Sequence, residues 1–418
     1  MLVQFNFKNY KSFKNETSLD MTASSIKEHP YNLIEMKTGN KYLKVAAIYG
    51  ANASGKSNII DAFNFMHYFV LNSLSLEQIE NRQRKNTIPV RCFAFDGLSR
   101  EEPSMFEVFF IKDNVEYQYG FAIDRKKIHA EWLYSKSAKS KKYQTLFFRA
   151  NNVVECNRKN KSIKEADKFI DSVDDTTLFL TLTAKTKIEV SKIIVKWFFD
   201  NSVIDFGDFR LESLISRRFS PEILENETYK NKLEQFLIAI DTGIKGIRVE
   251  RNKEKNENDS ETYQIFSQHG TQEGEGYIEI LFADESSGTQ KMFCLFDYLW
   301  DCLNNGGVLF VDELNAKLHP NLLRYIINIF HDPSLNKNNT QLVYTTHDTF
   351  TLTKDVFRRD EIWFVEKDSE GVSKLYSLVE YKLEDDTKVR NDATYSKDYL
   401  YGRYGAVPIF KEFSILEE

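Results

Sequence analysis

A glycine-rich segment near the N-terminus has the residue types that bind phosphate. Residues 50–57 read GANASGKS and fit the Walker A pattern GxxxxGK[ST]. The apolar run KVAAI before them predicts a buried strand, and apolar residues at helical spacing after them predict a helix. In that context backbone N–H groups surround a β-phosphate, and the helix N-terminus adds positive potential. The predicted nucleotide contacts are Gly50, Asn52, Ala53, Ser54, Gly55, Lys56, Ser57 and Asn58.

Two side chains of this loop and two carboxylates further on predict the chemistry. Lys56 is expected to reach the β- and γ-phosphates, and the Ser57 hydroxyl to ligate Mg²⁺. The apolar run GVLFV predicts a strand that delivers Asp312 and Glu313 at its C-terminal end, the edge where ligands bind in α/β sheets. We expect Asp312 to hold Mg²⁺ through water and Glu313 to polarise the attacking water.

Two shorter segments complete the set of candidate residues. The segment ESSGTQK precedes a predicted helix, and its Ser286 lies 26 residues before Asp312. Ser286 and Gly288 at a helix start offer hydroxyl and N–H donors to a phosphate, although alone they would be typical of an ordinary helix cap. His347 ends the next predicted strand, 34 residues past Glu313. There its imidazole can hydrogen-bond the γ-phosphate or the attacking water.

The elements that must position these residues follow an α/β pattern. Apolar runs at 308–311, 341–344 and 362–365, with helical stretches between the first two, predict a parallel sheet. From about 87 to 148 the apolar residues recur with period two, which predicts antiparallel strands. The segment 162–240 has a mostly helical pattern, and the polar stretch 251–261 predicts a mobile loop.

These elements predict a single unit over residues 1–418, and the order of its motifs resembles that of an ABC-type ATPase head. Residues 1–160 form the nucleotide-binding lobe, which carries the Walker A segment and an antiparallel β subdomain. Residues 161–275 form a helical insertion. Residues 276–418 form a lobe with the segment ESSGTQK, called the signature, and the segment GVLFVDE, called Walker B. The predicted fold class is α/β, a P-loop NTPase with a mixed sheet.

Composition limits the class of protein. Hydrophobic residues make up 42% and charged residues 28% of 418, which excludes wholesale disorder. The net charge of −6 excludes a uniformly basic nucleic-acid coat. Basic stretches at 82–85, 125–127 and 136–142 leave local nucleic-acid contact open beside the ordinary interpretation as solvated loops. No apolar run approaches the ~18 residues that span a bilayer. Four cysteines without metal spacing, and no signal peptide, predict a cytoplasmic protein without a membrane partner.

The order Walker A, short signature, Walker B with an adjacent Glu, and switch His resembles the ABC-class ATPases. This resemblance implies ATP hydrolysis with Mg²⁺ and a composite site, in which Ser286 of one chain faces the nucleotide on Lys56 of another. The chain would then be a homodimer or higher oligomer. The opening element NYKSF resembles the NF[RK]S element of the non-transporter branch, which implies that Lys11 lies near the phosphates. Residues 314–320, LNAKLHP, resemble the D-loop segment of that branch, but Asn315 and Lys317 depart from its usual Asp and Ser.

Over almost its whole length the chain resembles the RloA-like and OLD-type ATPases of bacterial phage-defence and abortive-infection loci. Three segments, 117–121, 358–366 and 399–408, resemble sequences characteristic of that family. The resemblance implies an ATP-gated sensor or regulator of a separately encoded, nuclease-like effector. Two other functions stay open: a DNA-repair or DNA-binding ATPase of the SMC or RecF type, and an ATP-bound scaffold with little turnover.

Overall fold

The structure is a computed structural model. It describes residues 1–76, 88–138, 140, 142–151, 153–207, 222–241, 243–252, 262–271, 274, 276–383 and 386–408. The strands of this part of the chain are β1 (Leu2–Lys8), β2 (Thr17–Asp20), β3 (Leu33–Glu35), β4 (Lys41–Leu43), β5 (Val45–Gly50), β6 (Ser104–Lys112), β7 (Val115–Ile123), β8 (Ile128–Ser137), β9 (Gln144–Ala150), β10 (Val153–Cys156), β11 (Ser202–Asp205), β12 (Ile244–Asn252), β13 (Thr262–Gly270), β14 (Tyr277–Leu281), β15 (Val308–Asp312), β16 (Gln341–Thr345), β17 (Ile362–Lys367) and β18 (Ser373–Ser377).

Helices alternate with these strands mainly in the second half of the chain. The α-helices are α1 (Lys56–Leu76), α2 (Gly97–Glu101), α3 (Phe179–Lys185), α4 (Glu189–Phe199), α5 (Glu222–Glu225), α6 (Glu227–Ile240), α7 (Ser287–Asn305), α8 (Pro320–His331) and α9 (Tyr395–Leu400). Short 3₁₀ turns cover Pro30–Asn32, Lys164–Ser172, Phe282–Asp284 and Arg359–Glu361.

A six-stranded sheet is the frame of the molecule. Its order is β11-β15-β16-β5-β17-β18, and every neighbouring pair is parallel except β17 with β18. The parallel strands predicted at 308–311, 341–344 and 362–365 are therefore confirmed. Side chains alternate between the two faces, so that Ile48 and Phe310 face α1 whereas Tyr49 and Val311 face the α7 and α8 side.

An antiparallel sheet of seven strands, in the order β10-β9-β8-β7-β6-β1-β2, covers the other side of α1. The antiparallel strands predicted between 87 and 148 are confirmed as β6–β9. In β8 the buried side chains are Ile128, Glu131 and Leu133, whereas Trp132 is only partly buried. Trp132 stands opposite Gly120, where a Cβ atom would lie 2.6 Å from the indole. Glycine is therefore needed there to admit the ring.

The mostly helical prediction for 162–240 is wrong at β11, and the segment 161–275 is not purely helical. Strand β11 pairs in parallel with β15 at the edge of the main sheet, and β12 and β13 pair with each other. A four-residue strand is too short to show a period of two, and its pairing partner lies about a hundred residues away in sequence. Of the predicted polar loop, Arg251 and Asn252 end β12, and the remainder lies outside the described residues.

Helix α1 ties the nucleotide loop to both sheets. Its Phe63 is fully buried and stacks on Phe310 of β15 at a ring-centroid distance of 3.8 Å. On the other side it meets Phe5 of β1 edge-on at 5.4 Å. Because α1 begins at Lys56, these contacts fix the direction in which the helix N-terminus points.

We expect Phe63→Ala to lower the free energy of unfolding by about 3–5 kcal/mol, because it leaves a cavity between two sheets. Chemical denaturation followed by circular dichroism measures the change. Tyr68→Ala on the same helix is the matched control, because Tyr68 is half exposed, and it should cost less than about 1 kcal/mol. Equal losses in the two variants would contradict the central position of α1.

Candidate nucleotide-binding site

The Walker A loop connects β5 to α1 and needs glycine at two positions for different reasons. A Cβ atom on Gly50 would lie 2.4 Å from the carbonyl oxygen of Val365 in the neighbouring strand. Gly55 has a φ of +113° and no room for a side chain, because a Cβ atom would lie 2.5 Å from Ser373 Oγ and 2.7 Å from Ser12 Oγ. The loop is thus packed closely against β17 and β18.

Two serines from distant parts of the chain brace the outside of this loop. Ser373 Oγ donates to the Ser54 carbonyl oxygen at 2.5 Å, and it lies 2.8 Å from Ser12 Oγ. Asn58 Nδ2 donates to Ser12 Oγ at 2.7 Å. Sequence analysis selected Asn58 but missed Ser12 and Ser373 as parts of the site. The Ser54 hydroxyl is buried and has no hydrogen-bond partner among the described residues, as expected of a group available to a ligand.

The Lys56 ammonium lies inside the loop. It donates to the carbonyl oxygens of Gly50 and Ala51, both at 3.0 Å, and the residue is 6% exposed. Burial lowers the pKa of Lys56 to about 8, against the opposing charges of Asp312 and Glu313. Because its hydrogen bonds go to neutral carbonyls rather than to a carboxylate, the cation can exchange them for phosphate oxygens.

The predicted Mg²⁺ ligands lie together. Ser57 and Thr345 both hydrogen-bond the Asp312 carboxylate, which is 5% exposed. Burial raises the pKa of Asp312, and these two hydrogen bonds oppose the shift. In the described part of the chain no cluster of three or more His, Cys, Asp or Glu could hold a metal. Ser57 and Asp312 nevertheless fit Mg²⁺, which keeps several waters and takes further oxygens from the phosphates of its nucleotide.

Thr345, which sequence analysis did not select, joins the two carboxylate residues. Its hydroxyl donates to Asp312 Oδ1 and accepts a hydrogen bond from the Glu313 N–H at 2.8 Å. Glu313 has a φ of +51°, an uncommon conformation for a residue with a side chain and one that clusters at functional sites. The Thr345 hydroxyl therefore helps to hold the backbone from which the candidate general base projects.

His347 lies at the rim of a cavity of about 430 Å³ that it shares with the start of the Walker A loop, Gly50, Ala51 and Asn52. Its backbone N–H donates to Asn315 Oδ1 at 3.2 Å. Partial desolvation, and then the charge of Lys56, lower the pKa of His347. The ring thus tends to be neutral, with one nitrogen free to accept a hydrogen bond. Asn315, a departure from the usual D-loop sequence, thus contacts the backbone of His347.

The signature residues lie on another part of the surface. Ser286 is the exposed N-cap of α7, and its hydroxyl accepts a hydrogen bond from Thr289 N at 3.1 Å. Gly288 lies against the Lys317 carbonyl, 3.1 Å from where a Cβ atom would stand. Within the described residues, the hydrogen bonds of Ser286 stay on its own helix and do not reach the Walker A loop.

Lys291, one turn further along α7, makes a contact that sequence analysis missed. Its buried ammonium donates to the carbonyl oxygens of Glu313, Leu314 and Ala316 at 3.2, 2.8 and 2.7 Å. The ring of Phe206 lies 4.1 Å away. Burial lowers the pKa of Lys291 to about 7, against the charge of Glu313. The signature helix and the segment after Walker B are thereby joined within one chain.

Three weaker candidates lie elsewhere. Lys11 forms an ion pair with Asp61 on α1 at 2.6 Å, so that its charge is directed at the helix following the loop. Gln118 and Gln144, the two weak candidates for the Q-loop glutamine of an ABC-type ATPase, lie on β7 and β9 of the antiparallel sheet. Gln118 donates to Glu107 at 2.7 Å, and Asn160 donates to Gln144 at 3.2 Å.

A sequence model described as "AAA domain, putative AbiEii toxin, Type IV TA system" matches residues 45–353. This range is more than half of the 418 residues and runs from β5 past His347. The chain belongs to this family. Members of this AAA family are P-loop NTPases, and the family therefore implies nucleotide binding, typically with Mg²⁺. No curated protein matches the chain. In the described part of this AAA protein, no helix combines the length and apolar character needed to cross a bilayer.

We expect Thr345→Val to lower ATP turnover at least about tenfold, because hydrogen bonds to charged groups contribute about 1.5–3 kcal/mol. The variant removes both the donor to Asp312 and the acceptor for the Glu313 N–H. Steady-state phosphate release measures the effect. Thr345→Ser keeps the hydroxyl and should retain most of the turnover. A valine variant that turns over at the wild-type rate would contradict the positioning role of Thr345.

Proposed function

We propose that this chain is an ATP-hydrolysing ATPase of the ABC type that acts in the cytoplasm as a dimeric, ATP-gated switch. The observation that carries the proposal is the convergence of four groups at the carboxyl edge of the parallel sheet. Asp312 and Glu313 lie at the end of β15, His347 follows β16, and Lys56 follows the loop after β5. The Thr345 hydroxyl links Asp312 and Glu313. Such an arrangement suits phosphoryl transfer to water, which depends mainly on positioning and electrostatics.

Each side chain has a distinct task in this proposal. Lys56 exchanges its two carbonyl contacts for phosphate oxygens, and Ser57 and Asp312 hold Mg²⁺, which neutralises phosphate charge when bound. Glu313 orients the attacking water and accepts its proton. His347, whose lowered pKa favours the neutral ring, accepts or donates a hydrogen bond at the γ-phosphate.

The exposed signature supports a site completed by a second copy. Ser286 presents its hydroxyl at a helix N-terminus, and that helix is long enough, at 19 residues, to carry a dipole. Its hydrogen bonds stay local in the described part of its own chain. Two chains in opposite orientation would place Ser286 of each opposite Lys56 of the other. ATP binding closes the pair, and hydrolysis opens it.

For the biological role we propose a sensor or regulator in bacterial antiphage defence, of the RloA-like or OLD type, that controls a separate nuclease-like effector. The family description, which names an abortive-infection toxin and a toxin–antitoxin system, supports this role. A DNA-binding ATPase is the second candidate, but Lys136, in one of its basic stretches, is paired with Glu116 at 2.5 Å. The stretch 82–85 and part of 136–142 lie outside the described residues. A scaffold with little turnover is the third candidate.

We expect Glu313→Gln to bind ATP normally but to hydrolyse it at least ~100-fold more slowly, the lower range for loss of a general base. The variant should accumulate as a dimer with ATP, because closed pairs no longer open. Calorimetry, phosphate release and sedimentation test the three parts. Turnover at the wild-type rate would show that another group is the base. Slow turnover in the wild type itself would favour the scaffold.

The composite site is tested by mixing two inactive variants. Ser286→Arg should retain ATP binding but lose ATP-dependent dimerisation, because a bulky cation replaces the hydroxyl at the γ-phosphate. Lys56→Ala should lose ATP binding, since a charge-assisted contact worth at least ~1.5–3 kcal/mol is removed. A mixture should regain part of the activity, because one of its two sites has an intact loop and an intact signature. If each chain hydrolysed ATP alone, the mixture would stay inactive.

A further inference from the structure

Two surface patches of large apolar side chains adjoin the two halves of the proposed composite site, one beside the Walker A loop and one beside the signature. The tail patch consists of Leu400 and Tyr401, which are 65% and 72% exposed. The strand patch consists of Ile278 and Ile280, which are 58% and 36% exposed and lie on one face of β14. Adjacent exposed apolar residues of this kind often mark interaction surfaces.

The tail patch flanks the Walker A loop. Leu400 and Tyr401 line the same cavity as His347, Gly50 and Asn52. In the proposed site His347 lies at the γ-phosphate, whereas the nucleoside is attached to the α-phosphate at the opposite end of the phosphate chain. The tail patch is therefore on the γ-phosphate side, away from the nucleobase. This is the side on which the signature of a second copy would bind.

The segment that carries the tail patch is fixed to the core, and the exposure of Leu400 and Tyr401 is therefore a feature of the folded chain. Tyr399 is buried, its ring lies 5.2 Å from Phe364, and its hydroxyl donates to the Ala406 carbonyl at 3.2 Å. Tyr376 Oη donates to the Tyr404 carbonyl at 2.7 Å. A preorganised surface of this kind loses little conformational freedom when a partner covers it.

The strand patch leads directly to the signature. Strand β14 is the edge of the sheet β12-β13-β14 and pairs only with β13 among the described strands. After β14 the chain makes one 3₁₀ turn and reaches Ser286. Charge also matches: Asp284 is exposed beside the signature, and Lys397 is exposed beside the tail patch.

We propose that the tail patch of one chain covers the strand patch of a second copy of this chain in the ATP-bound dimer. This inference rests on the proposed composite site, which brings the signature of one copy to the Walker A loop of the other. Two-fold symmetry makes the contact twice, because each chain contributes both patches. Residues 395–408 then join the interface through their apolar tip, in addition to lining the nucleotide cavity.

Site-specific cross-linking tests the pairing. One chain carries Tyr401→Cys and the other Ile278→Cys, both with Glu313→Gln to hold the closed state, and a short bismaleimide is added with and without ATP. We expect a cross-linked heterodimer only with ATP. Tyr31→Cys replaces Tyr401→Cys as the matched control, because Tyr31 is equally exposed but lies beside Lys44, at the opposite end of β5. Chains without the added cysteines control for the four native ones.

The outcomes separate the inference from the proposed function. An ATP-dependent dimer that Ser286→Arg abolishes, but in which the Tyr401→Cys and Ile278→Cys chains do not cross-link, would overturn the pairing and leave the composite site standing. Absence of any ATP-dependent dimer would overturn both. If the thiol of the Tyr401→Cys variant were protected from maleimide in the absence of ATP, another segment of the chain would cover the tail patch, and the inference would also be overturned.

A second variant gives a quantitative readout. Leu400→Ser with Tyr401→Ser should weaken ATP-dependent dimerisation at least about tenfold, because the two apolar side chains would lose their burial in the interface. Because Leu400 and Tyr401 also line the cavity beside the Walker A loop, the ATP affinity of the monomer is measured separately, and dimerisation is compared at saturating ATP. Tyr31→Ser, the control, should leave both quantities unchanged. Dimerisation of the double variant at wild-type strength would contradict the assignment.

Discussion

The alignment of three parallel strands constrains everything else at the candidate site. Strands β5, β16 and β15 are neighbours in register, and their carboxyl ends therefore bring Gly50, Thr345 and Asp312 to one edge of the sheet. The Thr345 hydroxyl bridges the last gap by bonding both the carboxylate of Asp312 and the backbone of Glu313. A one-residue slip in either pairing would turn these side chains to the other face. The two hydrophobic cores that sandwich the sheet make such a slip costly.

The site has a second support outside the sheet. Ser12 from the N-terminal turn and Ser373 from β18 meet at the Walker A loop and close around Gly55. Because β18 belongs to the six-stranded sheet and the turn follows β1 of the seven-stranded sheet, the loop lies where the two sheets come together. Support of this kind limits how far the loop can move.

Sequence alone predicted the parts of this arrangement that are local. The Walker A loop, the two carboxylates at the end of β15 and the alternation of β6–β9 are encoded within short windows. In the structure Ser57 hydrogen-bonds Asp312. The bracing by Ser373 and the cage around Lys291 join residues far apart in sequence, and a serine or lysine in a polar context gives no local signal. Strand β11 was missed for a related reason, since only its partner β15 makes it a strand.

The three carbonyl contacts of Lys291 have a consequence for how two sites in a pair would communicate. Lys291 lies on α7, five residues after Ser286, and donates hydrogen bonds to the backbone of the segment that starts at Glu313. In a dimer of the proposed kind, Ser286 contacts the γ-phosphate of the nucleotide bound by the other chain. Glu313 of the same chain acts on the nucleotide bound by its own Walker A loop. If one nucleotide displaces α7, the contacts of Lys291 transmit that displacement to Glu313, the general base for the other nucleotide. ATP hydrolysis at the two sites would then be cooperative, and the coupling would pass through Ser286, Lys291 and Glu313 of one chain.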